Sequence, residues 1–243
     1  VGGPEPPDDR RQLSGGSGCM KSHRQQVVLS LCDYTGVMVK PWADAGYRCI
    51  CVDTQHPMRS DRVDGFITYT WGDVRSWCLP EDVEVVMLFA FPPCTDVAVS
   101  GARDFRKKRN VLLRDALELF AVCEMVASYS GAPFMIENPV GKFSSHMGPP
   151  TYTFDPCDYA GYDGGEDDTY TKRTCLWAGN GFVMPECRNV DPIQGSKMHL
   201  LPPSPERQHL RSATPAGFAQ AVFETNCPQA VVSSKLGQEM AYA

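Results

Sequence analysis

The chain has 243 residues, of which 42% are hydrophobic and 21% charged, and its formal net charge is −6 at pH 7. This composition is ordinary for a soluble globular protein with one α/β domain. No apolar run approaches the roughly 20 residues that a membrane-spanning helix requires. The negative balance argues mildly against a nucleic-acid-binding protein, although a local basic patch can act despite it.

Residues 1–22 are rich in glycine, proline and charge and lack the apolar region of a secretory signal. We expect them to form a disordered lead-in. The eleven cysteines include no CxxC pair, and several lie inside apolar runs. This pattern favours free thiols in a reducing, cytoplasmic setting over a disulfide framework.

Apolar runs that stop at polar residues or prolines predict strands. In chain order these are QQVVLSLCD ending at Asp33, YRCICVD ending at Asp53, DGFITYTWGDV running into Asp73, VEVVMLFAFPP ending at Pro92 and APFMIENP ending at Glu137. A helical stretch closed by Gly46 follows the first strand. The clearest helix is VLLRDALELFAVCEMVASYSG, and TPAGFAQAVFETN predicts a closing helix with Thr214 as N-cap and Pro215 at its first position.

Strands that alternate with helices predict a mostly parallel, doubly wound α/β sheet. We expect a core at 23–141, a small loop-rich region facing the substrate at 142–205, the closing helix at 206–226 and a tail at 227–243. Because ligands bind at the carboxyl ends of strands in such folds, the polar strand ends should face one crevice.

Two acids among these strand ends have two interpretations. Asp53, at the end of the second strand, is placed to accept hydrogen bonds from a ribose, or else Asp33 and Asp53 merely cap turns. The first turn, CDYTGVM, has a single glycine, Gly36, instead of the three of a dinucleotide fingerprint. This departure disfavours NAD and FAD.

The other two strand ends carry groups capable of covalent and proton chemistry. Two prolines stop the strand before Cys94, so its thiol is either a nucleophile at the crevice mouth or a buried turn thiol. Glu137, partly desolvated, is either a proton donor or the structural partner of a cation. The segment YTKRT supplies Lys172 and Arg173 for that pairing or for holding a phosphate.

A basic segment and a set of cysteines and histidines each have a functional and a non-functional interpretation. The segment 102–110, ARDFRKKRN, holds five basic residues and one acid, so it is either a phosphate-binding loop or a solvated one.

A zinc site is disfavoured because the cysteine spacings match no common pattern. Its candidate ligands would be Cys157, Cys175 and Cys187 with His146 or His199. We predict no metal.

The ordered set LSLCDYTG, CVD, GDV, FPPCTD, IENP and TKRT resembles the DNA cytosine-C5 methyltransferases, in particular a short phage-type branch. The resemblance covers residues 27 to about 224. Its most specific element is Pro-Pro-Cys ending one strand, followed 43 residues later by Glu-Asn ending another. It implies a Rossmann-like S-adenosylmethionine (SAM)-dependent methyltransferase fold, and a host-cell cytoplasmic location if a phage encodes the chain.

The resemblance implies roles for individual residues. Cys94 would attack C6 of cytosine, Glu137 would hydrogen-bond the N3 side, and Arg173 would support the adduct. Asp53 would hold the ribose hydroxyls of SAM and Asp73 its adenine amino group. The remaining residues expected to line the SAM pocket are Asp33, Tyr34, Thr35, Gly36, Phe91 and Pro92. The residues expected to bind substrate are Ser100, Arg103, Arg106, Lys107, Lys108, Asn138 and Lys172.

The chain departs from the family at Tyr34, where a glycine is usual, at Cys32, where phenylalanine is common, and in lacking a long target-recognition domain. From the resemblance we predict a monomeric SAM-dependent cytosine-C5 methyltransferase acting on double- or single-stranded DNA, and the departures favour two alternatives. One alternative is transfer of a non-methyl group from a SAM analogue, or modification of a cytosine nucleotide. The other is a catalytically silent nucleic-acid-binding protein with the same fold.

Overall fold

The structure is a computed structural model that describes residues 25–94, 110–197 and 211–227. Its elements in chain order are β1 (Gln25–Leu31), α1 (Lys40–Asp44), β2 (Arg48–Asp53), β3 (Arg62–Asp64), β4 (Ile67–Trp71), β5 (Val83–Ala90), α2 (Asn110–Ser130), β6 (Phe134–Pro139), α3 (Phe143–His146), β7 (Tyr152–Phe154), a 3₁₀ turn (Pro156–Asp158), β8 (Thr174–Gly179) and α4 (Ala216–Asn226).

The described strands form one eight-stranded sheet in the order β3-β4-β2-β1-β5-β6-β8-β7. The five central strands, β4 to β6 in that order, are parallel. The edges are antiparallel, since β3 pairs with β4 on one side and β8 pairs with β6 and β7 on the other. The chain is therefore an α/β protein with a mixed, mostly parallel sheet.

Both faces of the sheet are covered. One core cluster packs α1 and α4 on alternate strand residues such as Val28, Met87 and Phe89. The other packs α2 and α3 on the intervening residues, such as Leu29 and Leu88. Near-continuous apolar runs in β1, β2 and β5 follow from this double burial, because each face of a central strand meets helices.

Several strands end at residues other than those predicted. β1 ends at Leu31 instead of Asp33, because Cys32 takes a left-handed conformation (φ 55°) that cannot continue a strand. β4 ends at Trp71 and not at Asp73, and β5 ends at Ala90, before the prolines that cannot donate to the ladder. β6 continues past Glu137 to Pro139.

The predicted N-cap of the closing helix was wrong. Pro215 is the N-cap, since its carbonyl accepts the first helical bond from Ala219 N at 3.1 Å. The carboxylate of Asp168, from a distant loop, accepts a hydrogen bond from Gly217 N at 2.8 Å. That side chain supplies the capping acceptor expected from Thr214.

The segment predicted as loops and short strands also builds the sheet. β8 pairs with all of β6, from Phe134 opposite Gly179 to Pro139 opposite Thr174. Lys172 and Arg173 therefore lie just before a strand that runs beside Glu137. No helix in the described ranges is long and apolar enough to cross a membrane.

Candidate active site

The carboxyl ends of four parallel strands bring the predicted residues to one edge of the sheet. β2, β1, β5 and β6 are successive neighbours. Asp53 is the last residue of β2, Asp33 and Cys94 follow β1 and β5 by two and four residues, and Glu137 lies in β6, two residues before its end. All four residues therefore lie near the carboxyl ends of adjacent parallel strands, the edge at which such sheets usually bind ligands.

Asp33 organises the turn after β1. Its Oδ1 accepts hydrogen bonds from Thr35 N at 3.0 Å and Gly36 N at 2.8 Å, and from the Thr35 hydroxyl at 3.2 Å. Its Oδ2 accepts one from the buried Ser30 hydroxyl at 2.7 Å. The turn amides therefore already hold an anion, so this turn is a poor site for a pyrophosphate and a better one for a cationic ligand.

Gly36 allows this turn to close against the sheet. Its φ is +71°, and a Cβ built there would lie 2.6 Å from the hydroxyl oxygen of Tyr69. Both the backbone conformation and the contact thus require glycine. Thr35 is exposed, and Tyr34, 45% exposed, stacks on His56 with ring centroids 5.5 Å apart.

Asp53 ends β2 with its side chain almost fully buried. Its Oδ1 accepts a hydrogen bond from Gln55 N at 2.8 Å. No described residue donates a hydrogen bond to its Oδ2. A carboxylate oxygen with this remaining acceptor capacity is suited to a ligand hydroxyl.

The other predicted cofactor residues are placed differently. Asp73 is 36% exposed, and its Oδ1 pairs with the Arg75 side chain and backbone, each at 3.1 Å. Phe91 is half-buried against the core and its amide donates to Leu31 O at 2.9 Å. Pro92 is buried beside the turn that carries Cys94.

Cys94 and Glu137 interact electrostatically. Burial and the nearby Glu137 carboxylate raise the pKa of the half-buried Cys94 thiol, while Lys172 and Arg211 act to lower it. Burial also raises the pKa of Glu137, and Lys172 opposes that rise. Desolvation therefore favours the protonated form of both groups, and the neighbouring cations offset part of its effect.

Among the described residues, Lys172 is the cation paired with Glu137. Its Nζ lies 3.9 Å from Glu137 Oε1, and the two side chains are only 14% and 17% exposed. Arg173, predicted as the catalytic cation, instead pairs with Asp155 at 3.2 Å and is 59% exposed. Successive residues approaching a strand point in opposite directions, which accounts for the difference.

Asn138, predicted to bind substrate, has a different contact in the structure. Its side chain is 1% exposed, and its Nδ2 donates to Pro92 O at 2.6 Å. Its Oδ1 has no hydrogen-bond partner among the described residues. The amide thus ties the end of β6 to the turn that carries Cys94.

Arg211 and His56 were not predicted. Arg211 precedes α4 and is close enough to affect the Cys94 thiol. His56 contacts Asp33, but its position in a polar loop had no distinguishing sequence pattern. The predicted residues Ser100, Arg103, Arg106, Lys107 and Lys108 lie outside the described residues.

No group of three or more potential metal ligands occurs within 25–94, 110–197 and 211–227. Ten cysteines in these ranges are free thiols. Comparison with protein families and with curated proteins gives no match to this chain. The functional argument therefore depends on the site itself.

Proposed function

We propose that the protein is a SAM-dependent transferase with a Rossmann-like fold that methylates C5 of cytosine in DNA through a covalent Cys94–C6 adduct. The observation that carries the proposal is the grouping of Cys94, Glu137 and Lys172. The Cys94 thiol follows β5 by four residues, and on the neighbouring strand β6 the acid Glu137 pairs with the mostly buried cation Lys172.

Cys94 has the role of nucleophile. Its thiolate adds to C6 of the base, which makes C5 enamine-like and able to attack an electrophilic carbon. Because the resting thiol has a raised pKa, it must pass its proton to water as it adds to the base. An ionised Glu137 contributes to that high pKa, so protonation of Glu137 makes loss of the thiol proton easier.

Glu137 has the role of acid at the cytosine N3 side. Its raised pKa favours a protonated form that donates a hydrogen bond there and offsets the negative charge building in the ring. Lys172 stabilises the carboxylate after the proton has moved. After transfer, the C5 proton passes to water, the Cys94 thiolate is expelled and the N3 proton returns to Glu137, which restores the aromatic ring.

The residues after β1 and β2 fit SAM better than a dinucleotide. When bound, SAM would supply the electrophilic methyl group. The Asp33 carboxylate occupies the turn amides that a pyrophosphate would need and favours a cation nearby. Asp53 Oδ2 retains acceptor capacity for a ribose hydroxyl. Tyr34, Thr35 and Gly36 follow Asp33 in the same turn.

DNA is the proposed substrate because the sequence contains a basic segment, 102–110, shortly after the proposed nucleophile. Lysines and arginines there would hold backbone phosphates. The target base must leave the duplex stack, or be presented on a single strand, to meet Cys94.

A trapping experiment tests the proposal. With SAM and DNA containing 5-fluorocytosine, the wild-type protein should form a covalent complex, because fluorine blocks the elimination that releases the enzyme. Cys94→Ser should abolish that complex, whereas Cys78→Ser, which changes an exposed cysteine, should not. Gel retardation under denaturing conditions measures both.

Mass spectrometry of nucleosides from unmodified DNA should then show 5-methylcytosine. A heavier group would indicate a SAM analogue, and modification of free cytosine nucleotides but not DNA would change the substrate class. Wild-type protein that binds SAM and DNA without trapping or modification would contradict the enzyme proposal and favour a silent nucleic-acid-binding protein.

A further inference from the structure

A buried histidine joins the two turns that the proposed function assigns to the cofactor. His56 lies three residues after Asp53 and is only 5% exposed. Its ring is stacked on Tyr34 at 5.5 Å and meets Tyr69 edge to face at 5.4 Å. Neither aromatic contact requires a histidine, since a phenyl ring would also stack there.

The hydrogen bond of His56 does require a nitrogen. His56 Nε2 lies 3.1 Å from the backbone oxygen of Asp33. A carbonyl oxygen only accepts, so Nε2 carries the hydrogen and donates it. The backbone of His56 is itself bonded to Asp53, through His56 N and Asp53 O at 3.3 Å.

The same turn is held at a second carbonyl. The hydroxyl of Tyr69, on β4, donates to Thr35 O at 3.4 Å. The Asp33 amide donates to Val52 O on β2 at 3.3 Å. The carbonyls of the turn after β1 thus accept hydrogen bonds from His56, in the loop after β2, and from Tyr69, in the middle of β4, while its amides are held by Asp33.

We propose that His56 is a positioning residue for the cofactor site. By donating to Asp33 O it sets the turn that carries Asp33 relative to the turn that carries Asp53, so both carboxylates meet one ligand in a fixed geometry. This inference rests on the proposed function. Loss of the donor should weaken SAM binding, because the free protein would have to order the two turns on binding.

Three variants separate the hydrogen bond from the ring. His56→Phe keeps both aromatic contacts and removes the donor. His56→Gln removes the ring and presents an N–H at about the reach of Nε2, whereas the shorter His56→Asn does not. Isothermal titration calorimetry with SAM and thermal unfolding are measured for each. His146→Phe, an exposed position, is the control for the substitution itself.

We expect His56→Phe and His56→Asn to bind SAM about tenfold more weakly, which corresponds to about 1.4 kcal/mol. His56→Gln should stay within about twofold of wild type, an expectation that follows from keeping one ordinary hydrogen bond. The inference is overturned if affinity follows the loss of the ring, with Gln and Asn equally weak and Phe normal. It is also overturned if all three bind SAM as wild type.

The failure of the proposed function is a separate outcome. If wild-type protein does not bind SAM in the same titration, the cofactor assignment fails, and with it the basis for His56. If wild-type protein binds SAM and traps 5-fluorocytosine while the His56 pattern is absent, only the positioning role fails. Should His56→Phe not fold, the Gln and Asn variants still decide the question.

Discussion

At the scale of single residues, the site depends on how burial and charge set protonation. Glu137 and Cys94 are both driven toward their neutral forms by desolvation, and Lys172 counteracts this for each. Arrangements that perturb the pKa of neighbouring groups are typical of catalytic sites. The residues of YTKRT left Lys172 and Arg173 both open as the partner cation, and the family resemblance implied a catalytic role for Arg173, which pairs with Asp155 in the structure.

The pH dependence of the reaction should reveal the role of Lys172. Removing its ammonium in Lys172→Met leaves Glu137 and Cys94 without their nearest compensating charge, so both pKa values should rise further. The limb of the pH–rate profile that reports thiolate formation should therefore move to higher pH, with a slower rate at neutral pH. Lys172→Arg keeps the charge and should shift this limb less.

Steady-state rates across pH 6–10 (roughly the range of thiol ionisation) measure the effect. An unchanged pH–rate profile in Lys172→Met would contradict the expectation.

At the scale of elements, the central strands were predictable and the capping of the last helix was not. Apolar runs identify β1, β2, β5 and β6 because central parallel strands are buried on both faces. The partner of the α4 amides could not be predicted, because Asp168 lies 49 positions away in sequence from Gly217. Likewise, nothing local indicates that β8 lies antiparallel beside β6, since that pairing depends on the path of the intervening chain.

Asp168 should make stability depend on pH. Burial raises its pKa from 3.8 to about 6, against the lowering effect of the amide of Gly217. The folded state therefore binds the proton more tightly, and the stabilisation from this group is full below pH 3.8 and is lost as pH rises through about 6. Asp168→Asn keeps an acceptor for the amide and removes the titration.

We expect wild type to lose stability relative to Asp168→Asn as the pH rises from about 4 to about 7, because only the wild-type carboxyl loses its proton in this range. Asp168→Ala, which also removes the acceptor, should cost about 1 kcal/mol relative to Asp168→Asn. Urea unfolding at each pH measures both quantities. A pH-independent difference between Asp168→Asn and wild type would show that this carboxyl does not titrate differently on folding.

At the scale of the whole molecule, α4 brings the last described part of the chain into contact with α1, near its beginning. This helix, far along the chain, packs with α1 on the face of the sheet opposite α2. Phe218 is 1% exposed and stacks on Phe154 at 4.1 Å, and Phe223 meets Trp42 edge to face at 5.4 Å. Segments distant in sequence therefore share one core.

Removing the Phe218 ring should test this closure. Phe218→Ala is expected to lower the free energy of unfolding by about 3–5 kcal/mol, the usual cost of deleting a buried aromatic ring. Tyr129→Ala changes a 91% exposed ring and should stay within about 0.5 kcal/mol of wild type. Denaturant unfolding with an unchanged m-value supports the expectation, and equal effects of the two substitutions would contradict it.

The sequence by itself determined the α/β class, the central strands and the placement of Asp33, Asp53, Cys94 and Glu137 near the carboxyl ends of those strands. These features follow from local periodicity and from the rule that parallel strands end at one edge. Only the tertiary structure decided which cation faces Glu137, what holds the amides of α4, and that His56 joins two turns. Those contacts join residues far apart in the chain or depend on the direction of one side chain, and neither is encoded in a local pattern.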